Sequence, residues 1–272
     1  MTNIYILRTI LKIKMGLKDY VHSGKISFNI FVNIQNWTEF LNTHFSKKSN
    51  KMIVKLRTGA KYVVRPYESD VTMLMETWGL KCYNPKGFEI KKNDVVFDIG
   101  THIGSFSIYA AKQAFQGKVF SFEPLPENYE IFMENIKLNK VKNIIPLKAA
   151  VSSKNGKDKL FLFEGLHTGS SSLYTRNTKK YVQINTVTLE KIIKKNKIKR
   201  INFMKIDCEG AEYDILFNLP KNILKIIDKI SMEYHDKINE HNHKELVSFF
   251  KENGWKTIIK EKDGFIYARN RK

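Results

Sequence analysis

With 272 residues, 42% of them hydrophobic and 12% aromatic, the chain is long enough to bury one substantial core and too apolar to be a disordered tail. Its formal net charge of +20 is spread along the sequence rather than gathered in blocks. It therefore reads as a solvated surface that attracts anions at low salt, and nucleic acid is not the expected partner. Two cysteines, Cys82 and Cys208, lie far apart without CxxC or Cys/His spacing, which excludes a disulfide framework and a structural zinc site and implies a reducing, cytoplasmic setting.

The opening run Ile4–Met15 is broken by Arg8, Lys12 and Lys14, too short and too charged to cross a bilayer. It reads as ordinary packing, with a peripheral membrane contact through a basic amphipathic helix as the alternative. Residues 1–50 show weak helical periodicity, and Met52–Leu56, Thr58-Gly59 and Lys61–Arg65 read as strand, turn and strand. Residues 1–84 are thus expected to form an N-terminal extension or cap, and residues 85–272 the catalytic domain. From about residue 85, short apolar runs alternate with amphipathic segments, the pattern of βαβ units on a parallel sheet.

Asp94–Ile99 is the first such strand, Gly100–Gly104 a turn and Ser105–Ala114 a helix; Lys118–Phe122 and a helix over Pro126–Asn139 follow, with Pro126 where its missing N–H costs nothing. Ile144–Val151 reads as a third strand, and Lys159–Phe163 with Tyr181–Val187 as an antiparallel insertion around a Gly/Ser-rich loop. Ile201–Ile206 is the next core strand and Gly210–Asn218 its helix, followed by the strand Ile226–Tyr234 and the helix His243–Asn253. Lys256–Lys260 and Gly264–Arg269 close the chain as a hairpin turned at Asp263-Gly264. The expected sheet has six or seven strands and an antiparallel terminal hairpin.

Chemistry concentrates in three stretches. In VVFDIGTHIGSFS a buried strand ends at Asp98, and Gly100 and Gly104 allow a tight turn and close approach to a ligand before a helix begins. The turn lacks both GxGxxG and GK[ST] spacing, which argues against a dinucleotide fold, an NAD(P) oxidoreductase and a P-loop. SFEP places the Glu123 carboxylate at the end of the next strand, where an acid can accept hydrogen bonds from ribose hydroxyls. In FMKIDCEGAEYDIL and SMEYHD, residues two apart on an extended chain share a face. Asp207 with Glu209 and Glu233 with His235 can therefore converge, beside Lys205, on the crevice at the carboxyl edge of the sheet.

Taken in order, DIGTHIG, FEP, ENYEIFMENIKLN, KIDCEGAE and EYH resemble the FkbM family of S-adenosylmethionine-dependent methyltransferases, over roughly residues 50 to 260. The resemblance implies an α/β, Rossmann-like class I methyltransferase fold, with a doubly wound, mostly parallel sheet, that binds S-adenosylmethionine and O-methylates sugar, glycolipid or natural-product hydroxyls. It assigns Asp98, Gly100 and Gly104 to the cofactor turn, with Thr101 and His102 inside it. Glu123 and the adjoining Pro124 fall at the ribose end, Ala150 joins the cofactor contacts, and Lys205, Asp207, Glu209 and Gly210 form the signature near the methyl donor. Thr101-His102 stands where the family often has Ala-Asn, and Cys208 where it often has Val.

Methyl transfer to a hydroxyl requires alignment of two reactants and removal of a proton. His235 or the Asp207/Glu209 pair is the expected base, with Lys205 stabilising a developing alkoxide or pairing with an acid. Alternatively Asp207, Glu209, Glu233 and His235 hold Mg²⁺ or Mn²⁺, or form a structural network only. The loop Gly165–Leu173, with Thr168, Ser170, Ser171 and Ser172, is expected to line an acceptor pocket. The competing reading is a nucleic-acid-binding or RNA-modifying module that uses the basic surface, against which stands the lack of a recognisable nucleic-acid motif.

Overall fold

A computed structural model describes residues 17–46, 49–162, 172–173, 178, 180–236 and 238–271, side chains of 17–23 and 25 excepted. The run Ile4–Met15 and all of the loop Gly165–Leu173 before Ser172 lie outside the described residues. The chain divides into two units, Met1–Lys81 and Cys82–Lys272.

In the first unit, α1 (Leu17–Asn33) and α2 (Trp37–Ser46) precede a hairpin of β1 (Met52–Lys55) and β2 (Lys61–Val64), then α3 (Asp70–Leu74), which runs into a π-helical turn at Met75–Gly79. The expected strand, turn and strand are present in antiparallel register, Val54 opposite Tyr62. Val54, Tyr62 and Val64 are buried while Lys55 and Lys61 face water, the alternation of a one-sided hairpin. The buried Asp70 is matched by the Arg65 guanidinium at 2.8 Å and the Arg65 N–H at 2.7 Å.

The second unit is α/β, with a doubly wound sheet of seven strands in the order β11-β12-β10-β9-β3-β4-β5. Its elements are β3 (Val95–Ile99), α4 (Ser105–Gln113), β4 (Lys118–Phe122), α5 (Pro126–Asn139), β5 (Ile144–Leu147), β9 (Phe203–Ile206), α7 (Glu212–Phe217), α8 (Lys221–Leu224), β10 (Lys229–Glu233), α9 (His243–Glu252), β11 (Trp255–Lys260) and β12 (Phe265–Asn270). β3, β4, β5, β9 and β10 run parallel, and β12 is antiparallel to both β10 and β11. Parallel strands covered on both faces need unbroken apolar runs. Alternate residues feed two cores: Val96, Val119 and Phe203 pack with Phe106 of α4, while Phe97, Phe120, Met204 and Ile206 pack with Ile215, Leu246 and Phe250 of the later helices.

Three sequence expectations need correction. Ile144–Val151 is not one strand: β5 ends at Leu147, and β6 (Ala150–Val151) leaves the main sheet to pair with β8 (Tyr181–Val187). The insertion starts at Gly156 rather than Lys159, because β7 (Gly156–Phe161) pairs with β8 along its whole length, giving a three-stranded sheet β6-β8-β7. A helix absent from the expected order, α6 (Leu189–Lys195), follows β8, with the Thr188 side chain accepting from the Lys191 N–H at its start.

The chain proceeds from β3 outward to β4 and β5, then returns to lay β9 against the other side of β3. That reversal opens a crevice beyond the carboxyl ends of β3, β4, β9 and β10, the place where sheets of this kind hold ligands. Among the described residues no helix is long and apolar enough to cross a membrane.

Candidate active site

The turn after β3 is shaped by protein packing. Gly100 (φ 81°) lies where a Cβ would come within 1.7 Å of the Asp207 carbonyl oxygen, and Gly104 (φ 88°) where one would meet the Phe132 ring at 2.2 Å. The close approach expected of these glycines is thus made first by the backbone just after β9 and by α5. Both the Gly100 and Thr101 N–H groups donate to the Phe122 carbonyl, which ties the turn to the end of β4.

Asp98 sits beneath this turn with no exposure. Ser107 Oγ donates to its Oδ2 at 2.6 Å and lies 2.7 Å from Ser121 Oγ, while Thr101 Oγ1 reaches the Asp98 carbonyl at 3.1 Å. Burial raises the Asp98 carboxyl, against the charge of Lys205. Lys205 is itself buried. Its ammonium donates to the Gly100 carbonyl at 2.6 Å, stands 3.5 Å from Asp98 and 3.3 Å from Asp207, and lies over the Tyr83 ring. Burial opposes the charge, but Asp207 and Asp98 outweigh it and hold Lys205 above its usual value. Of the two roles expected for Lys205, pairing with acids is the one its contacts serve.

Glu123, almost fully buried, accepts the His102 N–H at 2.7 Å through one oxygen and the Leu125 N–H at 2.9 Å through the other. Burial lifts it to about 7 in spite of these bonds. His102 (φ 55°) holds its left-handed backbone within this clasp. Pro124 is half-buried beside it, and Ala150 packs with Leu125, Leu160 and Ile184 on the β6 side.

At the ends of β9 and β10 the expected polar groups do meet. His235 Nε2 faces Asp207 Oδ1 at 3.9 Å and Glu209 Oε2 at 3.8 Å, and one ligand atom each from Asp207, Glu233 and His235 lie within 4.8 Å of one another. The Tyr83 hydroxyl donates to Asp207 at 2.8 Å and lies 3.4 Å from Glu233. Burial works against ionisation of Asp207, yet Lys205, His235 and the Tyr83 hydroxyl hold it below the usual carboxylate range. Glu209 (φ 51°) and Gly210 (φ 97°) are consecutive left-handed residues, and the Glu209 carbonyl accepts from Ser172 Oγ at 2.5 Å.

Two members of this cluster escape sequence reasoning. Glu212, wholly buried on α7, binds His235 Nδ1 at 3.1 Å and the His235 N–H at 2.7 Å. Burial pushes the imidazole down, but Glu212, Glu209 and Asp207 together raise it to about 10. These acids favour the protonated ring, which sets a second cation beside Lys205 and works against His235 as the base. An acid opening an apolar helix in EGAEYDIL was the available signal for Glu212; Tyr83 lies outside every motif. The open groove lined by Phe217, Asn242 and Phe249 holds none of these groups.

The Methyltransferase FkbM domain matches residues 98–256, more than half of the chain and all of the crevice except Tyr83. This chain belongs to the FkbM methyltransferase family. Its similar relatives include the hexuronic acid methyltransferase AglP of Haloferax volcanii, 24% identical over 181 residues, 66% of this chain and 72% of that protein. The 31-O-demethyl-FK506 methyltransferase FkbM of Streptomyces tacrolimicus is 25% identical over 212 residues, 67% of this chain and 80% of that one. Among solved structures, the fibrillarin pre-rRNA processing protein of Methanococcus jannaschii aligns with a TM-score of 0.44 and 15% identity, over 81% of this chain and 82% of that chain. The FkbM match runs from Asp98 of the turn through Asp207, Glu209 and His235, so one family domain contains both the glycine turn and the acid-rich rim.

Proposed function

We propose that this FkbM-family chain is an S-adenosylmethionine-dependent O-methyltransferase acting on a hydroxyl of a sugar, glycolipid or natural product, with residues 85–272 as its catalytic domain. The observation that carries the reading is the pairing, at one switch point, of the Gly100–Gly104 turn and Glu123 with the Asp207, Glu209, Glu233 and His235 rim. Glu123 fits the nucleoside end of the donor: a buried carboxyl held near neutrality gains from hydroxyl donors, and ribose offers two of them. Thr101, His102, Gly104, Pro124 and Ala150 would complete that end, with Asp98 supporting the turn from below. Bound there, S-adenosylmethionine supplies an electrophilic methyl group on a sulfonium centre.

The chain's own groups then align and deprotonate. Fixing two reactants in attack geometry contributes about 7–11 kcal/mol, far more than a positioned base at about 10²–10⁴-fold. As the acceptor oxygen bonds to carbon its proton becomes strongly acidic, so a carboxylate is base enough, and Asp207 or Glu209 takes it in this reading. Lys205 pins Asp207 and the turn together, Glu233 and Tyr83 steady Asp207 from the side, and His235 keeps both acids charged. No divalent ion is required, because Lys205 and His235 provide the countercharge; turnover that survives exhaustive chelation is expected, and its loss, restored by Mg²⁺, would favour the metal reading. AglP and FkbM, by their names, methylate a hexuronic acid and a demethylated FK506, which favours a small or glycan hydroxyl as acceptor. The test is transfer of isotopically labelled methyl from S-adenosylmethionine into glycan, lipid and small-molecule extracts, read by mass spectrometry with RNA as the counter-substrate. Label confined to RNA would overturn the acceptor assignment.

A further inference from the structure

Glu212 is the least exposed acid of the rim, 0% accessible, in the first turn of α7. Four donors converge on its carboxylate. Oε1 accepts the His235 N–H at 2.7 Å and meets His235 Nδ1 at 3.1 Å; Oε2 accepts the Gly210 N–H at 2.8 Å and faces the Cys208 thiol at 3.7 Å. One carboxylate therefore ties the loop after β9 to the loop after β10. A ring bound through Nδ1 must present Nε2, and here Nε2 is turned onto Asp207 and Glu209.

We propose that Glu212 is the positioning residue of this site: by holding the loop at Gly210 and the His235 ring at Nδ1, it sets the direction in which Asp207 and Glu209 meet an acceptor hydroxyl. The inference rests on the methyl-transfer reading but gives Glu212, the last residue of KIDCEGAE, a role distinct from those of Asp207 and Glu209. A carboxylate is needed at 212, because all four partners are donors and every acceptor site is used. An amide at that position would set its NH₂ against either the Gly210 N–H or His235, so glutamine satisfies only half of the cluster. The groups facing the imidazole are Glu212 from α7, Asp207 and Glu209 from the loop after β9, and Glu233 from its own strand, with Tyr83 joining Asp207 to Glu233.

The test compares the 272-residue protein with its Glu212→Gln and Glu212→Asp variants. Imidazole ¹⁵N resonances report the ring directly: the wild type should show His235 protonated at Nδ1 and titrating near 10. In Glu212→Gln the titration should move down toward the ordinary value of about 6.5. Turnover should fall at least about tenfold, within the range a positioned proton acceptor supplies, while KM for S-adenosylmethionine stays within about twofold. Glu212→Asp, which keeps the charge but loses reach, should recover the titration in part and the turnover only weakly. Unchanged His235 resonances in Glu212→Gln, or unchanged turnover, would overturn the proposal. Were Glu212→Gln not to fold, a wild-type His235 ring with no proton held at Nδ1 would overturn it equally. A wild type that binds no S-adenosylmethionine yet shows the expected imidazole signature would refute the methyl-transfer reading and leave the Glu212–His235 clasp in place.

Discussion

Gly100→Ala is the sharpest perturbation of the crevice. An added Cβ would stand 1.7 Å from the Asp207 carbonyl oxygen, where ordinary contact begins at about 3.5 Å. Neither backbone is free to yield, because Asp98 and Ile99 are in register with Lys205 and Ile206 and the Asp207 N–H donates to Ile99 at 3.0 Å. The left-handed backbone adds about 1–2 kcal/mol for any residue with a Cβ. With the clash, the loss should reach about 3–5 kcal/mol, a large part of the roughly 5–15 kcal/mol that holds a domain together. Gly254→Ala is the control, since Gly254 has a similar φ of 79° but no neighbour within 4 Å of the added atom, and should cost only the backbone component. Urea unfolding of both variants gives the difference, and S-adenosylhomocysteine titration of the folded fraction tests whether the turn still binds. A Gly100→Ala protein no less stable than Gly254→Ala would refute the claim that β9, rather than chain flexibility, demands a glycine here.

Lys205→Met should cost about 3–5 kcal/mol at neutral pH by leaving the buried Asp98 and the half-buried Asp207 carboxyl groups without their ammonium. Asp207 is held below its ordinary range, so its stabilising effect is present above that range and is lost as pH falls through the depressed value. The Lys205→Met deficit should accordingly hold from neutral pH down to the ordinary aspartate value of about 3.9 and shrink below it in urea titrations, and a deficit that does not change there would count against the network. Glu123, raised by burial from 4.5 to about 7, keeps a proton in the folded state that the unfolded chain has released, so it should make stability fall as pH rises through that window. Ribose hydroxyls favour its ionised form. Donor binding should then release a proton near pH 7, visible by calorimetry in buffers of different ionisation enthalpy, and Glu123→Gln should abolish the release and weaken binding by about 1.5–3 kcal/mol.

The sheet was legible because β3, β4, β9 and β10 are short apolar runs separated by helices, and a parallel sheet buried on both faces requires that pattern. Ile144–Val151 misled for the same reason: an apolar run broken only by Lys148 suits one buried strand or two short ones, and the partners, β4 for Ile144–Leu147 and β8 for Ala150–Val151, tell them apart. Strand periodicity paired Asp207 with Glu209 and Glu233 with His235, although Asp207, Glu209 and His235 all lie past the ends of β9 and β10. Glu212 was hidden because its direction depends on the left-handed steps at Glu209 and Gly210, which break any helical or extended period just before α7 begins. Tyr83 reaches Asp207 across 124 residues of sequence, a contact that no local pattern carries. Gly100 was recognised as a tight turn, and the neighbour that its missing Cβ makes room for is the Asp207 carbonyl, just past the end of β9.

Calorimetric titration of the folded protein with S-adenosylhomocysteine tests the central claim most directly. Saturable uptake of one equivalent, weakened in Glu123→Gln, is the expected result. Absence of any heat or saturation at millimolar ligand, with the protein shown to be folded, would contradict it.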